Sequence, residues 1–108
     1  MQAVKLISTA NNTKWDELRL AMHGMTEPPT FRCKDLSGNY SPSDREWFYH
    51  FRSGGYETMR YVDVLTNTDF QRAGVLSALK RIGLAGHEID GGFRIYGYAE
   101  PGQELSCF

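Results

Sequence analysis

The sequence predicts an α+β two-layer domain: a mainly antiparallel sheet with two helices on one face, in the order α-β-β-β-α-β. Three observations carry this. Two segments, 11–25 and 67–83, place apolar residues at spacings of three and four, the period of a helix buried along one side. The stretches between and after them alternate in polarity or are rich in aromatic and β-branched residues, as strands are. Turn-forming clusters separate them, and strands grouped apart from helices favour helices packed on one side of an antiparallel sheet. The 108 residues, 41% hydrophobic and 23% charged, suffice for one core in a single domain, 1–108. Within it, 1–10 reads as an N-terminal arm, 11–98 as the core and 99–108 as a tail.

In the arm, Val4, Leu6 and Ile7 read as a short strand or an ordered extension. The run "NNTKWDELRLAMHGM" then predicts a helix. Thr13 and Asp16 resemble a capping box, with Asp in place of the longer Glu, and Trp15, Leu18, Met22 and Met25 form its apolar stripe. Gly24 and the following "EPP" end it. Residues 30–36, "TFRCKDL", alternate Phe31 and Cys33 against Arg32 and Lys34, a half-buried strand. "SGNYSPSD" is a loop.

Residues 46–52 predict a second strand, with Trp47, Tyr49 and Phe51 on its core face and Glu46, Phe48, His50 and Arg52 on the other. Ser53, Gly54 and Gly55 predict a hairpin turn into a third strand, 56–66. Thr68 and Gln71 are a second capping box, opening a helix whose Val75, Ala78, Leu79 and Ile82 share a face and which Gly83 closes. Lys80 and Arg81 sit at its C-terminal end, where cations favour the helix dipole. "GHEIDGG" reads as a loop and "FRIYGYA" as the last strand, where Gly97 marks a bulge or the close approach of a ring such as Trp15.

The composition narrows function. Twelve basic against 13 acidic side chains, net −1, provide no general field for gathering phosphates, so general nucleic-acid binding is not expected. No run approaches the roughly 20 apolar residues of a membrane span, and "MQAVKLIS" makes a poor signal peptide. A cytoplasmic protein is expected, with Cys33 and Cys107 as free thiols. Two cysteines and three scattered histidines show no metal-ligand spacing, and no cofactor is implied. The glycine-rich "SGGY" and "DGGFRIYGY" precede no helix, so they read as turns and not as phosphate loops.

"NNTKW" at the first helix, "EWFYHF" followed by "GGY", and a late "YGY" together resemble a small uncharacterised bacterial domain family, over residues 11–98. Size and architecture are similar to those of immunity proteins, with which bacteria neutralise their own toxins. The resemblance implies a cytosolic protein-binding module that occludes the active site of a cognate toxin, and it carries over no catalytic residues. Tyr40, Asp44, Glu46, His50 and Tyr56 are the expected partner-binding residues. An amphipathic ring and acids beside an aromatic edge suit a partner with a basic cleft. The alternative is a small metal-free hydrolase or nuclease in which His50 works with Glu46 or Glu57, or with Asp63 from a neighbouring strand. On a strand, Glu46 and His50 would stand about 13 Å apart, with Phe48 between them. A third reading is an accessory domain holding a small ligand between sheet and helices.

Overall fold

Helix α1 spans Asn12–His23 in the computed structural model, which describes residues 6–53 and 55–108. Three residues that can cap a helix, Asn11, Asn12 and Thr13, stand in a row where it begins, and Asn11, not Thr13, takes the position. Its side-chain oxygen accepts the Lys14 amide at 2.8 Å. Asn outranks Thr as a cap, and this register leaves Asp16 free for another partner. Trp15, Leu18 and Met22 turn inward as expected, joined by Arg19. Helix α2, Asp69–Ile82, begins and ends as predicted. Thr68 Oγ1 accepts the Gln71 amide at 3.1 Å, Gln71 Oε1 accepts the Asn67 amide at 2.8 Å, and Gly83 closes the helix at φ 80°.

Strand β1 is Ile7–Ser8, β2 is Thr30–Asp35 and β3 is Met59–Leu65. After α2 come β4, Gly86–Ile89, β5, Gly92–Tyr96, and β6, Tyr98–Ala99. Four strands form an antiparallel sheet in the order β2-β3-β5-β4, and β1 pairs antiparallel with β6. The α+β class, the antiparallel pairing and the two helices on one face are as the sequence predicts. Val62, Val64, Phe93 and Ile95 turn toward the helices and join Leu18, Met22, Val75 and Leu79 in one core. Strand alternation sends Arg32, Lys34, Tyr61, Asp63, Arg94 and Tyr96 to the opposite face.

Two elements differ from expectation. In place of the expected strand over 46–52, residues 47–53 form consecutive turns, so no hairpin joins them to β3. Glu46 causes this locally: its Oε2 accepts the amides of Tyr49 and His50 at 2.8 and 2.9 Å, which curls the backbone. The buried rings are accordingly Trp47 and Phe51, four apart, while Tyr49 is exposed. Gly54 of the expected turn, like Val4 of the arm, lies outside the described residues. The second difference is β4. "GHEI" pairs with β5 through a two-residue Asp90-Gly91 turn, the dipeptide that best suits a tight hairpin, where the sequence had suggested a loop.

The β2 edge of the sheet is covered, and the β4 edge is covered where it begins. Against β2, the Phe31 amide donates to the Asp44 carbonyl and the Ser41 amide to the Cys33 carbonyl. Against the β4 side, the Gly86 amide donates to the Ser106 carbonyl and Phe108 returns a bond to Leu84. Residues 40–44 thus blunt the β2 edge, and 106–108 shorten the β4 edge, each of which could otherwise pair with another chain.

Gly97 is a close approach, as expected, and the backbone is nearer than the ring. A Cβ there would lie 2.3 Å from the Met59 carbonyl oxygen and 3.2 Å from the Trp15 ring, while the Gly97 amide bonds the Arg60 carbonyl at 2.8 Å. Gly97→Ala therefore forces β3 away from the turn between β5 and β6. The expected loss is about 1–3 kcal/mol, the usual cost of overpacking, read as a lower urea midpoint at an unchanged slope.

Candidate functional site

The cleft with the densest chemistry lies beside β2, under the loop that leaves it. Phe31, Cys33, Tyr40, Ser41, Asp44 and His50 are among its walls, and its volume is about 350 Å³. Its frame is built from short local bonds. Asp35 Oδ1 accepts the amides of Ser37 and Asn39 at 2.9 and 3.0 Å, turning the chain back along β2. Ser41 Oγ then accepts the Cys33 amide at 2.8 Å.

Asp44 and His50 meet at its rim. The Asp44 Oδ2 to His50 Nδ1 distance is 2.7 Å, and Asp44 Oδ1 accepts the Glu46 amide at 2.8 Å. A carboxylate only accepts, so Nδ1 carries the proton and Nε2 of the neutral ring holds a lone pair. The Glu46 amide, then His50, keep the Asp44 carboxyl below its ordinary value, and the His50 and Tyr49 amides do the same for Glu46. Both side chains thus stay ionised while their oxygens are engaged.

The expected partner-binding residues divide. Tyr40, Asp44, Glu46 and His50 gather along this loop and its continuation, but Tyr56 does not. It is 8% exposed and donates its hydroxyl to Asp16 Oδ1 at 2.6 Å, so it holds the core against α1 and presents no surface. The exposed ring of the segment is Tyr49, 69% accessible, with Tyr40 at 60%. Alternation along a strand had assigned Tyr49 to the core, and the turn at Glu46 reverses that.

The acid expected to work with His50 also changes. Glu46 reaches the His50 backbone, not its ring, and the 13 Å separation of a strand does not apply. Glu57 lines a different cleft, with Asp16 and Arg52. Asp63 is fully buried under Arg32 and Arg94. The carboxylate on the imidazole is Asp44, six residues before it.

Cys33, at the base of the cleft, is a poor nucleophile. Burial pushes its thiol up to about 12. Tyr40 moves the other way: the Tyr61 hydroxyl, 3.0 Å from its own, and Lys34 favour its ionised form. Among the described residues no group of three or more His, Cys, Asp or Glu could hold a metal ion, and no helix is long and apolar enough to cross a membrane.

Arg19 was not singled out from the sequence, yet it positions the segment. Largely buried, it donates from Nη1 to the Phe48 carbonyl at 2.6 Å, and its guanidinium lies 4.8 Å from the Phe48 ring centroid. A charged residue four after Trp15 on the buried stripe of a helix was the available signal.

Two outcomes are expected here. Folded-state carboxyl values depressed at Asp44 and Glu46 add stability that is complete above their ordinary values of 3.8 and 4.5 and is lost as pH falls through the folded ones. Urea midpoints should therefore drop below pH 4.5, and an Asp44→Asn/Glu46→Gln variant should show a shallower drop. In a thiol titration with Ellman's reagent at pH 8, exposed Cys107 should react at once and Cys33 only after unfolding. Rapid reaction of both thiols in the folded chain would contradict the assignment of Cys33.

No curated protein and no solved structure matches this chain. One family model does match, over residues 1–102, more of the chain than the 11–98 that the short motifs had marked. The chain belongs to that family, a family of unknown function (DUF6678).

Proposed function

We propose that this chain is a protein-binding module and, in the finer form of the reading, a cytoplasmic bacterial immunity protein that blocks the active site of one cognate toxin. The observation that carries the reading is the pair of rings, Tyr40 and Tyr49, standing 60% and 69% exposed around the ionised Asp44 and the His50 it orients. Exposed tyrosines on a braced loop supply contact area at small entropic cost, the usual anatomy of an interface anchor. Asp44 and Glu46 keep their charge, which suits a partner with a basic cleft. Tyr49 takes the place first expected of Tyr56.

The test is capture of the tagged protein's partner from its source cells, followed by co-expression. A single stoichiometric partner should be toxic alone and harmless with this chain. A Tyr40→Ala/Tyr49→Ala variant should lose both binding and protection, and His50→Ala should keep part of each. A partner that binds the double variant as tightly as the parent would sink the proposal.

The Asp44–His50 pair favours a second reading, a small metal-free hydrolase in which Asp44 fills the role expected of Glu46 or Glu57. Oriented by the carboxylate, His50 Nε2 would take a proton from water or from a substrate hydroxyl. Here His50→Ala abolishes turnover and Tyr49→Ala spares it, the reverse of the binding pattern.

A further inference from the structure

We propose that the sheet face turned away from the helices is a second interaction surface, one that receives an acidic polypeptide segment. This inference rests on the sheet and not on the cleft. Arg32, Asp63, Arg94 and His87 lie in register across β2, β3, β5 and β4, and Lys34, Tyr61 and Tyr96 form the adjoining row. Arg94 donates to Asp63 from Nε and Nη2 at 2.8 and 3.1 Å, and Arg32 from Nε at 3.3 Å. Two guanidiniums against one carboxylate leave one positive charge, and Lys34, with no acidic partner among the described residues, makes two.

These groups remain reachable. The Arg32 and Arg94 side chains are 43% and 28% exposed, and His87 is exposed. Because Asp63 takes Nε of Arg32 and the Nε–Nη2 edge of Arg94, each partly exposed guanidinium is held in place with N–H groups that Asp63 does not use. That arrangement is preorganised for carboxylates.

The occupant follows from what else the face offers. Nucleic-acid platforms stack bases on bare rings. Here the Tyr61 ring is 7% exposed, with the Arg94 guanidinium 4.1 Å and Lys34 Nζ 5.8 Å from its centroid, and Lys34 Nζ also stands 5.0 Å from the Tyr40 centroid. Cations and burial already cover the Tyr61 ring at the centre of this face, so charge and hydroxyls are presented there in place of a bare ring. Main-chain pairing has little room, since residues 40–44 cover the β2 edge and 106–108 the start of β4, which leaves only the short stretch from His87 to Ile89. What remains is recognition of side-chain carboxylates by a cationic surface.

Fluorescence anisotropy with the full chain and labelled oligoglutamate, oligolysine and oligothymidylate of equal length tests this. Oligoglutamate should bind at low salt and be released at high salt, and oligolysine should not bind. Lys34→Gln, which leaves the Asp63 pairs intact, should weaken binding about fivefold, the worth of one exposed charge contact, and Arg32→Gln/Lys34→Gln should weaken it further. Asp44→Asn and His50→Ala should leave it unchanged, which separates this surface from the cleft. No oligoglutamate binding, equal binding by parent and Lys34→Gln, or tighter binding of oligothymidylate would each overturn the proposal.

Discussion

Everything around the cleft depends on one contact set, the rings that gather on Phe51. Its centroid lies 4.8 Å from Trp47, 5.2 Å from Phe31, 5.7 Å from Tyr56 and 6.0 Å from Trp15. Helix α1, strand β2 and the segment between β2 and β3 each contribute a ring, so the cluster ties residues 47–56 to α1 and β2 beyond the point where backbone bonding to β2 stops at Asp44. Edge-on and tilted packing of this kind adds to area burial, and the polar tips find partners at the periphery. Trp47 Nε1 donates to the Pro29 carbonyl at 2.8 Å, and Tyr56 donates to Asp16. Residues 46–53 can therefore stay irregular and still be fixed. Ring packing holds the segment where a strand would have used hydrogen bonds.

This explains what the sequence conveyed and what it hid. The second helix was legible because its signals are local: Thr68 caps the Gln71 amide and Gly83 takes the left-handed turn within a few residues. For residues 46–52 two periods coincided. Trp47, Tyr49 and Phe51 alternate as in a strand, yet Trp47 and Phe51 are also four apart, as in a helical turn. The Glu46 carboxylate decided between them, and side-chain acceptors of this sort leave no trace in apolar periodicity. The Asp90-Gly91 turn was visible in the sequence, but His87 and Glu88 between Gly86 and Ile89 weakened the strand before it. Of the site, the loop and its residues were legible, while the pairing of Asp44 with His50 was not. It arises because Asp44 is bonded to Phe31 of β2 as the chain turns at Glu46, a tertiary condition.

The sheet solves a different problem on its second face. Asp63 is fully buried in the central strand, where an unpaired carboxylate would be costly. Arginines on both neighbouring strands meet it in register, and Tyr61 lies under Arg94. Strand alternation makes this arrangement obligatory once Val62 and Val64 are committed to the core. The residues between and beside them must face outward, and in this chain they carry charge. The same register that builds the core thus brings the cations into one row.

The acids and the cations of this chain consequently behave differently. Asp35, Asp44 and Glu46 each accept backbone amides, and their first role is to shape the loop over β2. Their charge reaches outward from a geometry they themselves impose. Arg32 and Lys34, on the strand beneath, are held by alternation and shape nothing beyond the Asp63 pair. Tyr40 lies between the two groups, on the wall of the cleft and within reach of Lys34 and the Tyr61 hydroxyl. A hydrogen-bonded loop with ionised acids on one side and a cationic sheet face on the other gives one small domain two poles that meet at a single ring. Each pole is set by the bonds that fold the chain, so a partner at either proposed site would meet charge that is already in place.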